Sequence, residues 1–550
     1  MKTRSFLAMS MMALLAAGCS SDEITVKDGG ENGGNDFNGT AFVSMNITLP
    51  TAVGGPNYAN TRAVTDEGFE EGKADEYAVS TVTVSYYSDA AGANQIGESK
   101  TYSTGQFSVS AGSDDITRKI LLPVETVTFG SAYALVEVNK PQATDMNVVS
   151  GVATPTSVAT VTGNGKSFYM TNAVQKDGSH LVQVTAYETE SQARDHAAEQ
   201  NIYVERAVAK VTLTTSATDH KFTIDGAGVY GGAEVQFTNW ALDLTNTKMY
   251  PVRKFKGTGT YDAIDFARFY HTRAYRTFWA EDPNYSAAAG SDLTKIATTD
   301  VTKAIGTYDY CLENTFNTAW QKQSQTTRVV VKATYKPKDF PSIQTWYLIG
   351  NTAYPKSTIA GTPEIKGLQE TIKDILGVTS VEMTETAGKK VTFTTSSFTM
   401  NGTGTAPSDE QVKAVTAVLG STYTTYKDGV CYYAIRIKHL DNECPWGSEV
   451  ETEGFAKDAP AYGGSKYVDY TNPDPAKDAN YTTENMEKEY LGRYGVVRNN
   501  VYKIKITKVS QPGDPVMPGT PDTPDDEHNY YLQSTINMLD WAVRSQEAEL

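Results

Sequence analysis

Hydrophobic and polar residues alternate along the segment from residue 41 to residue 49. From Val43 onward its odd-numbered positions are apolar, whereas Ser44, Asn46 and Thr48 between them are polar. A period of two places alternate side chains on opposite faces of a strand. The segment therefore predicts a half-buried β-strand, with the inward side chains Val43, Met45, Ile47 and Leu49.

Strand-like segments recur along the rest of the chain and fall into two blocks, with Gly, Asn and Asp turns between them. The polar segment 188–200, which is either a solvated helix or a loop, separates the blocks, and we place a domain boundary there. Strands are predicted over 79–87, 106–110, 119–124, 133–138 and 181–185 in the first block, and over 203–213, 233–240, 328–335, 431–437 and 500–506 in the second.

Two short helices are predicted within the second block, both as packing elements. Pro363 suits a first helical position, and Gly377 is suited to ending that helix. Ser408 and Gln411 have the spacing of a capping box, and Gly420 ends the second helix. The apolar positions are Ile365, Leu368, Ile372 and Ile375 in the first helix, and Val412, Val415 and Leu419 in the second.

A spacer rich in Pro and acidic residues follows the last strand of the second block, over residues 511–528. Because Pro lacks an N–H and Asp solvates the backbone, this segment is predicted to stay out of any sheet. At about 3.1 Å per residue, the stretch from Ser510 to His528 spans roughly 60 Å, more than the width of a domain of ~150 residues.

A further strand pattern lies beyond the spacer, within residues 529–550. Its apolar residues share one parity up to Met538 and the other parity from Leu539, which predicts a strand with a bulge or break between them. On its tether this strand is able to reach a neighbouring molecule; the alternative is that it folds back as an edge strand of its own chain. The apolar residues are Leu532, Ile536, Met538, Leu539, Trp541 and Val543.

Composition supports a mainly β protein with more than one domain. The 550 residues exceed what one core holds, and the chain has 33 Tyr, frequent Thr and Val, and few helical patterns. Its 48 Lys and Arg against 65 Asp and Glu give a net charge of −17 without a basic cluster. This balance argues against nucleic acid as a partner and against binding of anionic lipid by the folded part.

The N-terminus has the pattern of a signal peptide. Lys2 and Arg4 precede an apolar stretch over 6–17 that is too short to span a membrane. The sequence from Leu15 to Cys19 resembles a bacterial lipobox, with the Leu one position further from the Cys than usual, so Cys19 is the predicted lipidation site. An ordinary secretory signal with an incidental Cys is the alternative.

The other cysteines and the polar residues nominate no catalytic or metal site. Cys311, Cys431 and Cys444 show no CxxC spacing, and both free thiols and a disulfide remain open. The six His are scattered, and HExxH, GxSxG and Walker A motifs are absent from the sequence. A Ca²⁺ site among Asp469, Asp474 and Asp478 matches no EF-hand spacing, and a solvated loop is the preferred interpretation. The sequence therefore predicts no enzyme, no cofactor and no metal.

Four features in order resemble the fimbrillins of Bacteroidales over essentially the whole chain. They are the lipobox at Cys19, the strand ending before Arg62, the segment 204–211, and the segment 496–504 ahead of the Pro-rich tail. The Val-Val-Arg-Asn-Asn-Val-Tyr sequence from residue 496 and the terminal Leu-Asp-Trp-Ala-Val are the specific parts. Within the family, the chain most resembles the main structural subunit of the short (minor) fimbriae.

The resemblance implies a fold of two β-sandwich-like (transthyretin-like) domains and an assembly pathway. Family members are exported as lipoproteins with a palmitate-type anchor in the outer membrane, and an Arg-specific surface protease then cuts them, here between Arg62 and Ala63. Losing the strand 41–49 opens an apolar groove. The C-terminal strand of another copy fills it by donor-strand exchange, which builds an adhesive cell-surface fimbria together with accessory, anchor and tip subunits.

The implied organisation is a signal peptide (1–18), a propeptide (19–62), two β-sandwich domains (63–202 and 203–510), a linker (511–528) and a donor strand (529–550). Three other functions stay open. The chain is alternatively a tip or accessory fimbrial subunit, a monomeric outer-membrane lipoprotein that binds glycan through exposed Tyr and Trp residues, or a polysaccharide-degrading enzyme, for which no acid pair stands out.

Overall fold

A computed structural model of the chain describes residues 40–49, 73–111, 118–141, 157–173, 181–197, 200–226, 228–254, 280–284, 293–317, 320, 322–402, 404–439, 494–522 and 542–549. The first block of the chain contains two short helices, α1 (Val158–Val161) and α2 (Glu190–Asp195), and the 3₁₀ turns Ala74–Glu76 and Gly163–Gly165. Its strands are β1 (Ala41–Val43), β2 (Asn46–Thr48), β3 (Thr81–Tyr87), β4 (Gln95–Ser103), β5 (Ser108–Ala111), β6 (Arg118–Leu121), β7 (Glu125–Val127), β8 (Ser131–Val138), β9 (Met170–Asn172), β10 (Val182–Thr185) and β11 (Asn201–Arg206).

The second block contains the helices α3 (Leu368–Leu376) and α4 (Asp409–Leu419). Its strands are β12 (Val208–Thr215), β13 (Lys221–Thr223), β14 (Glu234–Asp243), β15 (Thr245–Asn246), β16 (Leu293–Thr294), β17 (Lys303–Ala304), β18 (Tyr308–Leu312), β19 (Arg328–Lys336), β20 (Trp346–Ile349), β21 (Thr352–Pro355), β22 (Val381–Met383), β23 (Gly388–Thr392), β24 (Phe398–Met400), β25 (Thr422–Tyr426), β26 (Val430–Arg436), β27 (Asn500–Lys508) and β28 (Ala542–Glu549).

The first block forms one large sheet in the order β4-β3-β8-β9-β11-β2-β6-β5, with β10 beside β8 and a separate ribbon of β1 and β7. The second block forms several sheets, among them β18-β12-β27-β28, β13-β14-β19-β26 and β21-β20-β25-β23. Two large apolar clusters fill the blocks, and the change from one cluster to the other falls between Val208 and Ala209 on β12. The prediction of a mainly β fold with a few short helices is confirmed; the domain bounds at 202 and 510 stay a prediction.

The predicted helices are present, but the first begins later than its pattern predicts. Pro363 lies in a turn closed by the N–H of Ile365 and the carbonyl of Thr362, in the second position that Pro favours. The helix α3 starts after Gly367 and ends at Gly377, whose φ of 62° is left-handed. The capping box at Ser408 and Gln411 is confirmed at the start of α4.

The polar segment 188–200 contains the helix α2. Thr189 and Gln192 form a capping box at its start, so the segment is a helix rather than a loop.

Cys311 and Cys431 are both free and buried, which answers the open pairing question for these two. Burial raises the pKa of the Cys431 thiol to about 12, so it stays protonated at neutral pH. Cys444 and residues 469–478 lie outside the described residues.

The Pro-rich segment departs from its prediction in the part that the structure describes. Asp514 forms an antiparallel bridge with Tyr432 of β26, so the expectation that this segment stays out of a sheet is wrong there. The reason is local, because Pro512 and Pro515 lack an N–H but Asp514 between them keeps its own. A single residue with both backbone groups available is enough for one bridge.

Candidate functional site

The segment 41–49 enters the interior of the large sheet through its second half, β2. Its strand β2 lies between β11, to which it is parallel, and β6, to which it is antiparallel, with Ile47 opposite both Ile202 and Ile120. Its strand β1 pairs with β7, and Phe42 exchanges two backbone hydrogen bonds of 2.7 Å with Tyr187. We call the channel between β6 and β11 that holds this segment the strand groove.

The inward side chains of the segment are those that the alternation predicts. Each of Val43, Met45, Ile47 and Leu49 is at most 2% exposed. Fully burying such a side chain contributes about 1.5 to 3 kcal/mol, so the four together contribute about 6 to 12 kcal/mol. The four side chains are buried as the alternation predicts, but the predicted single strand is two short strands, β1 and β2, that pair in different sheets.

The opposite face is more covered than a half-buried strand would be. Ser44 and Thr48 are also buried. Residues at the start of β11 and just before it form hydrogen bonds with this part of the segment. Thr48 Oγ1 donates to Asn201 Oδ1 at 2.8 Å, and the side-chain amide of Gln200 donates to the carbonyl of Ser44 at 3.2 Å. A strand in this groove is therefore held on both faces and both edges.

The walls of the strand groove belong to one apolar cluster. Its buried members around the segment are Ile120, Leu122, Val127, Phe129, Ala186, Ile202 and Val204. Without the segment, β6 and β11 would face each other across a gap with unpaired backbone N–H and C=O groups, which is a template for strand addition. A replacement in the same direction runs parallel to β11 and antiparallel to β6.

The predicted lipidation and cleavage residues, Cys19, Arg62 and Ala63, lie outside the described residues. The described residues stop at Leu49, directly after β2, and resume at Lys73. The predicted cut between Arg62 and Ala63 falls in that interval. A cut there would separate the strand covalently from everything that follows it.

The C-terminal strand is described in its last part. β28 pairs in parallel with β27 of the same chain, from Asn500 opposite Ala542 to Lys508 opposite Glu549. Val543 lies in β28 opposite Val501. The other predicted donor residues, Leu532, Ile536, Met538, Leu539 and Trp541, lie outside the described residues, and so does the predicted parity switch.

A buried ionic cluster lies in the part of the chain after the predicted cut, and no pattern in the sequence indicates it. Glu76 accepts a hydrogen bond from Tyr310 OH at 2.6 Å, and its carboxylate lies 2.7 Å from Lys210 Nζ. Burial by itself raises the pKa of Glu76, but the hydrogen bonds from Lys210 and Tyr310 outweigh it, so the pKa is lowered. The cluster ties the 3₁₀ turn Ala74–Glu76 to β12 and β18, a contact between residues more than 130 positions apart that no local pattern signals.

The two sequence segments that carry the family resemblance meet in space. Arg206 donates through Nη1 to Asn499 Oδ1 at 3.3 Å and through Nε to the carbonyl of Glu76 at 2.8 Å. Arg498 pairs with Glu313, Nε to Oε2 at 3.1 Å, and both are buried. Asn499 adopts a φ of 59°, a left-handed conformation that Asn tolerates better than most residues. These residues fix the junction of the blocks rather than form a reaction centre.

Within the described residues, no group of three or more His, Cys, Asp or Glu is arranged to hold a metal ion. No helix in the same parts of the chain is long and apolar enough to cross a membrane.

Comparison with known proteins finds a family match at the C-terminus. Residues 461–547 match the family model described as major fimbrial subunit protein type IV, fimbrillin, C-terminal. None of the curated proteins matches the sequence. The match includes β27 and most of β28.

Two solved structures are similar at low identity. A fimbrilin, FimA, of Porphyromonas gingivalis W83 is 13% identical with a TM-score of 0.32, over 92% of this chain and 97% of that one. The tip fimbrial protein Mfa3 of Porphyromonas gingivalis, with a C-terminal truncation, is 11% identical with a TM-score of 0.24, over 59% and 83% of the two chains.

Proposed function

We propose, from the premise that this chain is a fimbrillin of the Bacteroidales type, that it forms the shaft of a cell-surface fimbria by donor-strand exchange. On this premise the chain is a structural fimbrial subunit rather than an enzyme. The exchange places the C-terminal strand of one copy in the strand groove of the next. The fimbriae are proposed to be of the short (minor) type and to support adhesion.

The observation that carries the proposal is the position of β2 inside the large sheet. An edge strand can leave a sheet without opening it, but β2 is paired on both sides, by β11 and β6. Its removal therefore leaves a groove that exposes apolar side chains and two strand edges. Such a groove needs a replacement strand.

The C-terminal strand has the composition of a replacement. Its six apolar residues would contribute on the order of 9 to 18 kcal/mol if fully buried, before ordering costs, at about 1.5 to 3 kcal/mol each. The groove and the donor strand are different surfaces of one chain, so the contact is heterologous and extends into an open filament. A chain with both a predicted cut and a donor strand suits a shaft better than a tip or an accessory role.

The proposed route begins with export as an outer-membrane lipoprotein through Cys19. An Arg-specific surface protease then cuts between Arg62 and Ala63, which frees the strand 41–49 to leave. The anchored end of the filament and its tip are proposed to be separate fimbrial subunits.

One observation favours a second arrangement. β28 pairs with β27 of its own chain, which is the self-docked alternative for the C-terminal strand. In the proposed route this pairing belongs to the free subunit and is given up on assembly. If it were permanent, the chain would remain a monomer on the outer membrane.

The test is assembly of the chain that starts at Ala63, with and without residues 529–550. The full form is expected to give a ladder of stable oligomers on denaturing gels without boiling, and the shortened form monomers. In the precursor, Arg62→Ala is expected to prevent assembly, whereas Arg436→Ala, at an Arg of β26 outside the strand groove, is expected to permit it. A full form that stays monomeric contradicts the proposal.

A further inference from the structure

We infer that residues 510–522 form a docked strap that fixes the point from which the C-terminal strand leaves the fold. The role of this strap in a filament rests on the proposed function; its docking does not. The strap begins after β27 and crosses the sheet that contains β14, β19 and β26. Three sets of contacts hold it, and each involves a different part of the strap.

The first contact is with β26. The N–H of Asp514 donates to the carbonyl of Tyr432 at 2.8 Å, and the N–H of Tyr432 donates to the carbonyl of Asp514 at 2.7 Å. Tyr433 OH donates to the carbonyl of Gln511 at 3.0 Å. The approach depends on Gly513, because a Cβ there would lie 2.5 Å from the carbonyl oxygen of Tyr432.

The second contact is a buried guanidinium beneath the strap. Arg328 of β19 is 6% exposed, and its Nε donates to Asp243 Oδ2 at 2.8 Å. Its two terminal nitrogens donate to the carbonyls of Pro518 and Gly519, both at 2.7 Å. Buried polar groups left without partners are costly, so lifting the strap would leave two Arg328 donors to be satisfied in another way.

The third contact extends the strap to Asp522. Lys322 Nζ lies 2.8 Å from Asp522 Oδ2, and Ser324 Oγ donates to Asp522 Oδ1 at 3.0 Å. Met517 packs against the apolar cluster that contains Tyr432 and Val330. The exposed ion pair is worth little alone, but it continues a line of contacts that the buried ones establish.

The docked strap shortens the tether of the donor strand. Between Asp522 and Leu532, the first apolar residue of that strand, lie the nine residues 523–531. At about 3.1 Å per residue they reach about 28 Å. If the strap were free, the tether would run over the 21 residues 511–531 and reach about 65 Å. The strap therefore restricts where a neighbouring strand groove can lie.

A matched pair of glycine variants tests the docking. Gly513→Ala forces a Cβ against the backbone of β26, whereas a Cβ at Gly519 meets nothing within 4 Å. Hydrogen exchange of the full chain, read by mass spectrometry, is expected to show protection of the Asp514 and Tyr432 amides, which join the strap to β26, in the parent and in Gly519→Ala. It is expected to show faster exchange there, at least about tenfold, in Gly513→Ala. Unprotected Asp514 and Tyr432 amides in the parent overturn the docked strap, and equal protection in all three chains overturns the part given to Gly513.

A second variant keeps this test usable if Gly513→Ala does not fold. Asp514→Pro removes the N–H that donates to the carbonyl of Tyr432, and it is expected to raise exchange of the Tyr432 amide in the same way. Unchanged exchange of the Tyr432 amide in a folded Asp514→Pro variant contradicts the inference.

The role in the filament has its own readout. In electron micrographs, Gly513→Ala filaments are expected to be more flexible than parent and Gly519→Ala filaments, with a persistence length shorter by about two-fold or more. Unchanged stiffness with a released strap overturns this role while the proposed function stands. Absence of filaments from the parent chain overturns the proposed function and leaves the docking result intact.

Discussion

Glu76 joins the two blocks of strands at the residue scale. Its carboxylate is buried with Lys210 and Tyr310, which lie on strands of the second block. Removing one member of a buried ion pair leaves the other charge uncompensated, which typically costs about 3 to 5 kcal/mol. Since Glu76 follows the predicted cut, this contact is retained in the shortened chain.

Glu76→Gln is expected to lower the free energy of unfolding by about 3 to 5 kcal/mol, measured by denaturant titration at neutral pH. The matched control is Glu190→Gln, which removes an exposed pair with Arg194 and is expected to cost less than about 1 kcal/mol. Equal effects of the two variants would contradict the role given to Glu76.

The lowered pKa of Glu76 also predicts a pH dependence. A carboxyl whose pKa is lower in the folded state contributes stability above its unfolded pKa, about 4.3, and loses that contribution as the pH falls through the folded value. The difference in unfolding free energy between the parent and Glu76→Gln is therefore expected to be constant from pH 7 to about 5 and to shrink in more acidic solution. A difference that grows on acidification would contradict the assignment.

At the scale of elements, alternation in the sequence predicts the strand 41–49 and its inward side chains. It does not predict that β2 lies between β6 and β11, because pairing of strands far apart in sequence has no local signal. Local turn chemistry likewise decides the start of α3, where Pro363 serves a turn instead of a helix. In the Pro-rich segment, composition gives the wrong expectation for Asp514, since one residue with a free N–H can pair even between prolines.

The strand groove is expected to accept a strand supplied separately. A peptide of residues 40–50 added to the chain 63–528 is expected to raise its melting temperature, since it restores the buried side chains of the groove. The same peptide with Ile47→Asp is expected to have no effect, because a charge would face the apolar cluster. A peptide of residues 529–550 is expected to compete with the first. Equal effects of the parent and Ile47→Asp peptides would contradict a specific groove.

At the scale of the whole molecule, the two ends of the chain have different parts in the proposed assembly. The N-terminal segment fills the strand groove of its own chain, and the C-terminal strand in the free subunit lies on its own β27. Assembly by strand exchange would replace the N-terminal segment in the strand groove and would move the C-terminal strand from its own β27 to a neighbouring chain. The composition of the C-terminal strand indicates a donor strand. In donor-strand exchange, the strand groove that it fills belongs to another copy of the chain.

The measurement that tests donor-strand exchange most directly identifies which chain fills the strand groove in the polymer. Subunits carrying a photo-crosslinking amino acid at position 541 are grown with ¹⁴N or ¹⁵N, mixed in equal amounts before assembly, irradiated, and digested for mass spectrometry. Crosslinks from position 541 to β6 or β11 are expected, with about half of them joining a light peptide to a heavy one, as random mixing of two copies requires. Crosslinks that join peptides of the same isotope alone, or that reach β27 instead, would show that the C-terminal strand stays on its own chain and would contradict donor-strand exchange.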